Sequence, residues 1–269
     1  MCDKEYVLAL SYGKDSVACL GAIKKLGLPL TRVIHSEIWA TDTVPAEFPD
    51  MIAFKKVVDK YILDNFDIEV EHYCATSVDG VVKDKVTYED CFYHKLTRGK
   101  YVGSIKGFPF AIGQWCQKLK LNVFDLLSPD DIVYLGIAID EPSRIRDLPN
   151  YQYPLVLANW SEQDCYDWCV SENLLAPVYA SSSRAGCWFC HFQPLDQLRL
   201  LRKNHPELWE LLLKWDKDSP VSFKSDGHTV HDFDKRFAME DLGLVPSDRK
   251  FRWKMIELNI EELTDDYSS

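Results

Sequence analysis

The sequence predicts an α/β protein: a parallel sheet with helices on both faces, followed by a helical C-terminal region. Short apolar runs at 6–10, 32–35, 68–73 and 132–137 have the length and bounds of buried strands. The first three are followed or separated by helical patterns, notably 46–65, and strands that alternate with helices pair in parallel. Beyond Asn159 the apolar spacing is helical almost throughout.

Tyr6-Val7-Leu8-Ala9-Leu10 is the first strand. Ser11-Tyr12-Gly13-Lys14-Asp15-Ser16 then turns tightly into a helix-forming run over 16–25. A strand, a tight turn and a helix start together build an anion cradle: the first amides of the helix point outward with the positive end of the helix dipole behind them. Gly13 is expected to let the chain turn closely. Lys14 adds a point charge, Ser11 and Ser16 add hydroxyls, and Asp15 suits a magnesium ion or a helix cap. A plain strand–helix turn uses the same residue types. The run contains neither a Walker loop nor Gly-x-Gly-x-x-Gly.

The second and third strands end near His35 and Cys74, and the fourth contains Gly136. In open α/β sheets ligands bind at the carboxyl ends of strands, so Ser11, His35, Cys74 and Gly136 mark the expected site. The pattern breaks down between Thr76 and Asp125, where substrate loops are expected. Ser161, with Glu162 and Asp164 behind it, starts a helix over 161–173. Further helices are expected at 194–203, 207–217, 233–242 and 252–263, with a loop over 216–232 and a frayed end at 265–269. The division expected is a nucleotide-binding domain over 1–193 and a helical region over 194–269.

The chain has 269 residues, 46% of them apolar, enough for a large core. No run approaches the roughly 20 apolar residues of a membrane span. The polar start Met1-Cys2-Asp3-Lys4-Glu5 has no signal-peptide pattern, which predicts a cytosolic protein. A net charge of −11 argues against nonspecific coating of nucleic acid. The run Arg249-Lys250-Phe251-Arg252-Trp253-Lys254 interleaves cations with aromatics and reads as a solvated helix face.

The turn at Ser11–Ser16 resembles the pyrophosphate loop of the ATP pyrophosphatases (adenine nucleotide alpha hydrolases), Ser-Gly-Gly-x-Asp-Ser, with Tyr12 in place of the first glycine. Three later segments resemble the phosphoadenosine phosphosulfate reductase branch of that superfamily. Gly136 with Asp140-Glu141-Pro142-Ser143-Arg144 is similar to Gly-x-x-x-Asp-Glu-Ser-x-x-Arg, with Pro142 inserted. His35-Ser36-Glu37 through Asp42-Thr43, then Glu47-Phe48-Pro49, stands where the family carries its second-strand motif. Trp115-Cys116-Gln117-Lys118-Leu119-Lys120 resembles its Trp-Cys-x-x-x-Leu-Lys segment. The matches run from about residue 6 to about residue 194.

The resemblance implies a Rossmann-like sheet that binds an adenine nucleotide. Ser11, Tyr12, Gly13, Lys14, Asp15, Ser16, His35, Ser36, Gly136, Asp140 and Glu141 would seat ATP and magnesium. Lys14, Asp15, Lys118 and Arg144 would act on its phosphates. Arg144 also suits a phosphate or sulfonate by its planar fork.

Gly186-Cys187-Trp188-Phe189-Cys190-His191 holds a Cys-x-x-Cys turn. Two thiolates at this spacing share a metal or cluster, form a redox pair, or pack as inert thiols. The resemblance brings Cys116 near them, giving three candidate ligands. A 4Fe–4S cluster with one open iron, a zinc ion completed by His191 or another cysteine, and no metal at all are the readings. Cys19, Cys74 and the pair Cys165 and Cys169 are expected in the core.

The reductases of this family end in a nucleophilic cysteine, in Glu-Cys-Gly-x-His. No cysteine follows Cys190 here. The expectation is therefore an ATP-cleaving, pyrophosphate-releasing adenylating enzyme coupled to sulfur transfer, with a sulfur donor or acceptor as second substrate. The alternatives are a thiol-dependent sulfonucleotide reductase, and a non-catalytic nucleotide-binding subunit of a DNA-modification or defence assembly. A homodimer is compatible with the sequence, and no membrane partner is expected.

Overall fold

The structure, a computed structural model, describes residues 4–99, 102–109, 114–180 and 186–256. The chain forms two compact units, one of Met1–Cys91 with Trp115–Trp188, the other of Phe92–Gln114 with Phe189–Ser269.

In the first unit, β1 (Tyr6–Ala9) leads into α1 (Lys14–Leu26), then β2 (Arg32–Glu37), α2 (Pro49–Phe66) and β3 (Val70–Cys74). A two-strand antiparallel hairpin, β4 (Ser77–Val78) with β5 (Val81–Val82), precedes α3 (Tyr88–Tyr93) and the single turn α4 (Lys118–Leu121). β6 (Ile132–Tyr134), β7 (Tyr151–Gln152), α5 (Pro154–Leu157) and α6 (Glu162–Ser171) complete it. The five-stranded sheet has the order β3-β2-β1-β6-β7, and every pairing in it is parallel.

The period-2 alternation of β1 divides the core. Leu8, Val33, Ile132 and Tyr134 face one cluster with Val17 and Leu20 of α1, Phe54 and Val58 of α2, Leu155 of α5 and Cys165 of α6. Val7 and Ile34 face the other way, against Tyr73 and Leu127. The long helices therefore lie on the Leu8 face, while the short helical stretch from α4 onward meets the other: the Ser36 hydroxyl there donates to the Lys120 carbonyl at 3.0 Å.

Local rules set the boundaries. α1 stops at Gly27, left-handed at φ 62, whose N–H caps the carbonyls of Ile23 and Lys24. Asp15 was expected either to cap α1 or to hold an ion, but α1 has no side-chain cap. α6 starts at Ser161, whose side chain and that of Asp164 form a reciprocal capping box. The fourth strand is shorter than expected: it ends at Tyr134, and Gly136 lies in the turn beyond it. The stretch 76–125, read as loops, contains the hairpin, α3, α4 and flanking 3₁₀ turns.

The second unit is helical: α7 (Leu195–Asn204), α8 (Pro206–Asp218) and α9 (Val230–Asp241). A second capping box, Thr229 with Asp232, starts α9 earlier than the apolar spacing suggested. Buried aromatics fill this unit, including Phe92, Phe108 and Trp215. The basic–aromatic run at 249–254 is not a solvated face throughout. Phe251 is buried under the Arg236 guanidinium, which lies 3.6 Å from its ring centre, and Trp253 stacks on His228 at 3.8 Å. The helix expected over 252–263 is described only to Ile256. The rest of it, and the tail 265–269, lie outside the described residues. No helix among the described residues is long and apolar enough to cross a membrane.

Candidate functional site

The chain leaves β1 to build β2 on one side and returns much later as β6 on the other, so β1 and β6 flank the switch point of the sheet. Helices on consecutive connections diverge there and open a crevice at the carboxyl ends of the strands. A cleft of about 620 Å³ occupies that position in the first unit, lined at its base by Leu10, Ile34, Leu135 and Gly136. Its size falls in the range of small-molecule sites.

Gly136 sets how tightly the cleft closes. A Cβ there would lie 2.6 Å from the Ser16 nitrogen and 2.8 Å from the Asp15 carbonyl carbon. Both are backbone atoms, so only glycine lets the end of β6 meet the first turn of α1. Gly13 is different, and the expectation for it is corrected. Its φ is −76, and a Cβ would make ordinary contacts with Tyr179 and Ser11. The left-handed residue of the loop is Tyr12, at φ 56. A left-handed bulky residue is strained by about 1–2 kcal/mol, and the fold holds Tyr12 there through its side chain. That side chain is fully buried, and its hydroxyl donates to Asp59 of α2. Its ring packs edge-on against His35 at 4.7 Å. Tyr12 is an anchor beneath the loop, and it is absent from the cleft lining.

The loop is internally satisfied. The Ser11 and Ser16 hydroxyls share a hydrogen bond of 2.9 Å, Ser16 Oγ donates to the Gly13 carbonyl, and the Ser11 N–H donates to Ser16 Oγ. Lys14 Nζ lies 2.7 Å from Asp15 and 3.1 Å from Glu162. Burial disfavours the Lys14 ammonium, but Asp15 and Glu162 outweigh it and raise its pKa. Asp15 is also raised, by burial first, with Glu162 and Glu141 adding repulsion against the pull of Lys14. Asp15, Glu141 and Glu162 all line the cleft, and one buried oxygen of Glu141, Oε2, has no hydrogen-bond partner among the described residues.

Other expected residues divide. His35, Ser36, Glu141, Arg144 and Cys187 line the cleft with the loop. Arg144 is half exposed and pairs with Glu141 at 2.5 Å. Asp140 is instead a structural cap, accepting the Glu162 N–H at 3.1 Å. Lys118 is exposed, bonded to Asp79 and absent from the cleft lining, whereas Lys120 lines the cleft. Cys116 sits on the 3₁₀ turn Trp115–Gln117. Cys190 belongs to the second unit, where the buried part of Lys224 holds the loop after it by donating to the carbonyls of His191 and Gln193 at 2.6 and 2.5 Å. Cys19, Cys165 and Cys169 are fully buried, and burial pushes their thiols up, Cys169 to about 12. They are core thiols, as expected. Cys74, expected with them, is half-buried, its thiol pushed up by burial and Glu37.

One group of metal-ligating side chains went unforeseen: His35, Glu37 and His72 have ligand atoms within 4.8 Å of one another. A cation already sits there. Lys55 Nζ is 2.8 Å from His35 Nε2 and 3.6 Å from Glu37, and it pairs with Glu47. His35 donates from Nδ1 to the Leu10 carbonyl at 2.8 Å, which leaves Nε2 as the acceptor for Lys55. Burial and then Lys55 depress His35 to about 3, so its ring is neutral. His72 is the opposite case, raised to about 9 by Asp59 and then Glu37. The group is an ion network with a built-in ammonium, and through Leu10 and Tyr12 it braces the loop from below. Its sequence signal was Lys55 and Asp59 placed four apart beside the apolar stripe Met51, Phe54, Val58 and Ile62 of α2.

Comparison of the chain with protein-family profiles, with curated proteins and with solved structures returned no match.

Proposed function

We propose that the cleft binds ATP and that the protein cleaves it at the α-phosphorus, as the pyrophosphate-loop enzymes it resembles do on a Rossmann-like sheet. The observation that carries this reading is the placement of the Ser11–Ser16 loop. It lies at the start of a thirteen-residue helix, at the switch point of a parallel sheet, on the wall of a cleft that also holds Lys14 and Arg144.

An acceptor oxygen attacks the α-phosphorus. The bond from that phosphorus to the bridging oxygen breaks, and its electron pair leaves with pyrophosphate. The positive end of the α1 dipole and the Lys14 ammonium favour the charge gathering on the leaving group. A sulfur or amine nucleophile then attacks the acceptor and releases AMP. The hard oxygens of Asp15, Glu141 and Glu162 suit magnesium, which would relieve their mutual repulsion and supply charge neutralisation on the phosphates. Cys116 and Cys187, the expected thiols of the unit that holds the cleft, suit a 4Fe–4S cluster or zinc as ligands. A cluster would supply a sulfur-carrying iron and make sulfur transfer the second half-reaction.

The test is anaerobic purification, metal and sulfide analysis, and product analysis with ATP, magnesium and candidate acceptors. The reading expects AMP and pyrophosphate in equal amounts, lost in Lys14→Ala. ADP and inorganic phosphate would exclude attack at the α-phosphorus. Tight nucleotide binding with no turnover under any acceptor would favour the non-catalytic subunit, a reading helped by the existing neutralisation of Lys14 by Asp15 and Glu162.

A further inference from the structure

We infer that Tyr179 is an anion-binding residue of the cleft, the hydroxyl that hands the charge of helix α1 on to a phosphate oxygen. The inference rests on the cleft reading above and adds a residue that none of the motifs contains. Tyr179 sits on the 3₁₀ turn Pro177–Ala180 and lines the cleft. The first amide of α1, that of Lys14, donates to Tyr179 Oη at 3.0 Å. Gly13 is so close that a Cβ on it would lie 3.4 Å from the same oxygen.

That amide is one of the orphan donors which a helix start offers to an anion. Here the phenol oxygen has taken it. A hydroxyl that accepts a hydrogen bond becomes a better donor in turn. Among the described residues nothing accepts the proton of Tyr179 Oη; Gly13 and Lys14 of the loop adjoin it, and Asp15 and Cys169 lie close enough to act on it electrostatically. Burial, outweighing the Lys14 amide, holds the phenol above its ordinary pKa, so the proton stays in place at neutral pH. The ligand that fits is an oxyanion of the phosphate or pyrophosphate class. A neutral donor is well suited to this wall, since Lys14 is already engaged by Asp15 and Glu162 and an added charge would pair with the same carboxylates.

The experiment is calorimetric titration of the full chain with inorganic pyrophosphate, with and without magnesium, on wild type, Tyr179→Phe and Ser16→Ala. A hydrogen bond to a charged group predicts that Tyr179→Phe binds roughly tenfold more weakly or worse. Tyr179→Phe also removes the acceptor of the Lys14 amide, so its melting temperature without ligand should fall slightly, and affinities are compared well below both transitions. Equal affinity in Tyr179→Phe, with wild type binding and Ser16→Ala weakened, overturns the role of Tyr179 and leaves the cleft reading intact. Tighter binding overturns it too, since the hydroxyl would then merely plug the Lys14 amide. No binding by wild type overturns both.

Discussion

Gly13 stands inside the loop motif and Gly136 opens the later motif that runs to Arg144, and the structure gives the two glycines different duties. Gly136→Ala forces a carbon to within 2.6 Å of the Ser16 nitrogen, whereas Gly13→Ala meets nothing closer than 3.4 Å. Gly136→Ala should therefore cost about 1–3 kcal/mol in a denaturant titration and abolish pyrophosphate binding, while Gly13→Ala should fold with near wild-type stability. Equal effects from the two would contradict the packing described. Lys55 makes a second prediction. Its ammonium is buried and pairs with Glu47 and Glu37, so Lys55→Met should destabilise by about 3–5 kcal/mol although the apolar volume is kept, because Glu47 loses its cation and Glu37 keeps only His72. A stable Lys55→Met protein would show that the ion network is dispensable. The loop itself was legible in the sequence, down to Ser11, Lys14, Asp15 and Ser16. The bracing of Tyr12 by Asp59 and of Leu10 by His35 was not, because those partners lie 47 and 25 residues away in sequence and meet only when β2 and α2 pack.

At the scale of elements, helices with caps and apolar stripes were readable, and the shortest pieces were not. Ser161 announced α6, and the structure supplies its full capping box. Ser161→Ala should lower stability by about 1 kcal/mol, read from the denaturant midpoint with an unchanged slope. No change would mean that tertiary packing alone fixes this end. β4, β5 and β7 have two residues each, too few for any periodicity to show. β6 was read too long because Leu135, Gly136 and Ile137 continue its apolar run; the chain leaves the sheet there so that Gly136 can pack on α1. α9 began earlier than its apolar spacing because Thr229 and Asp232, rather than hydrophobic residues, define its start.

For the whole molecule, the parallel five-stranded sheet and the helical C-terminal region follow from the alternation of strands and helices, and the strand order follows from pairing that no single segment encodes. Stability should depend on pH through the network beneath the loop. His72 is raised from 6.5 to about 9, so its contribution is complete below pH 6.5 and is lost as pH rises through 9. His35 is depressed from 6.5 to about 3, so its contribution is complete above pH 6.5 and is lost as pH falls toward 3. Glu37, lowered to about 2 by His72 first, adds a loss on the acid side below its ordinary 4.5. Chemical denaturation across pH should show a maximum near 6.5, and His72→Gln should remove the alkaline fall; a flat wild-type profile between 6.5 and 9 would contradict the network. The most direct test of the central claim is equilibrium binding of magnesium–ATP to wild type and to Lys14→Ala. Wild type should bind saturably, and Lys14→Ala at least tenfold more weakly, as expected for a lost charge-assisted contact. Absence of binding by wild type, or equal affinity in the two proteins, would contradict that claim.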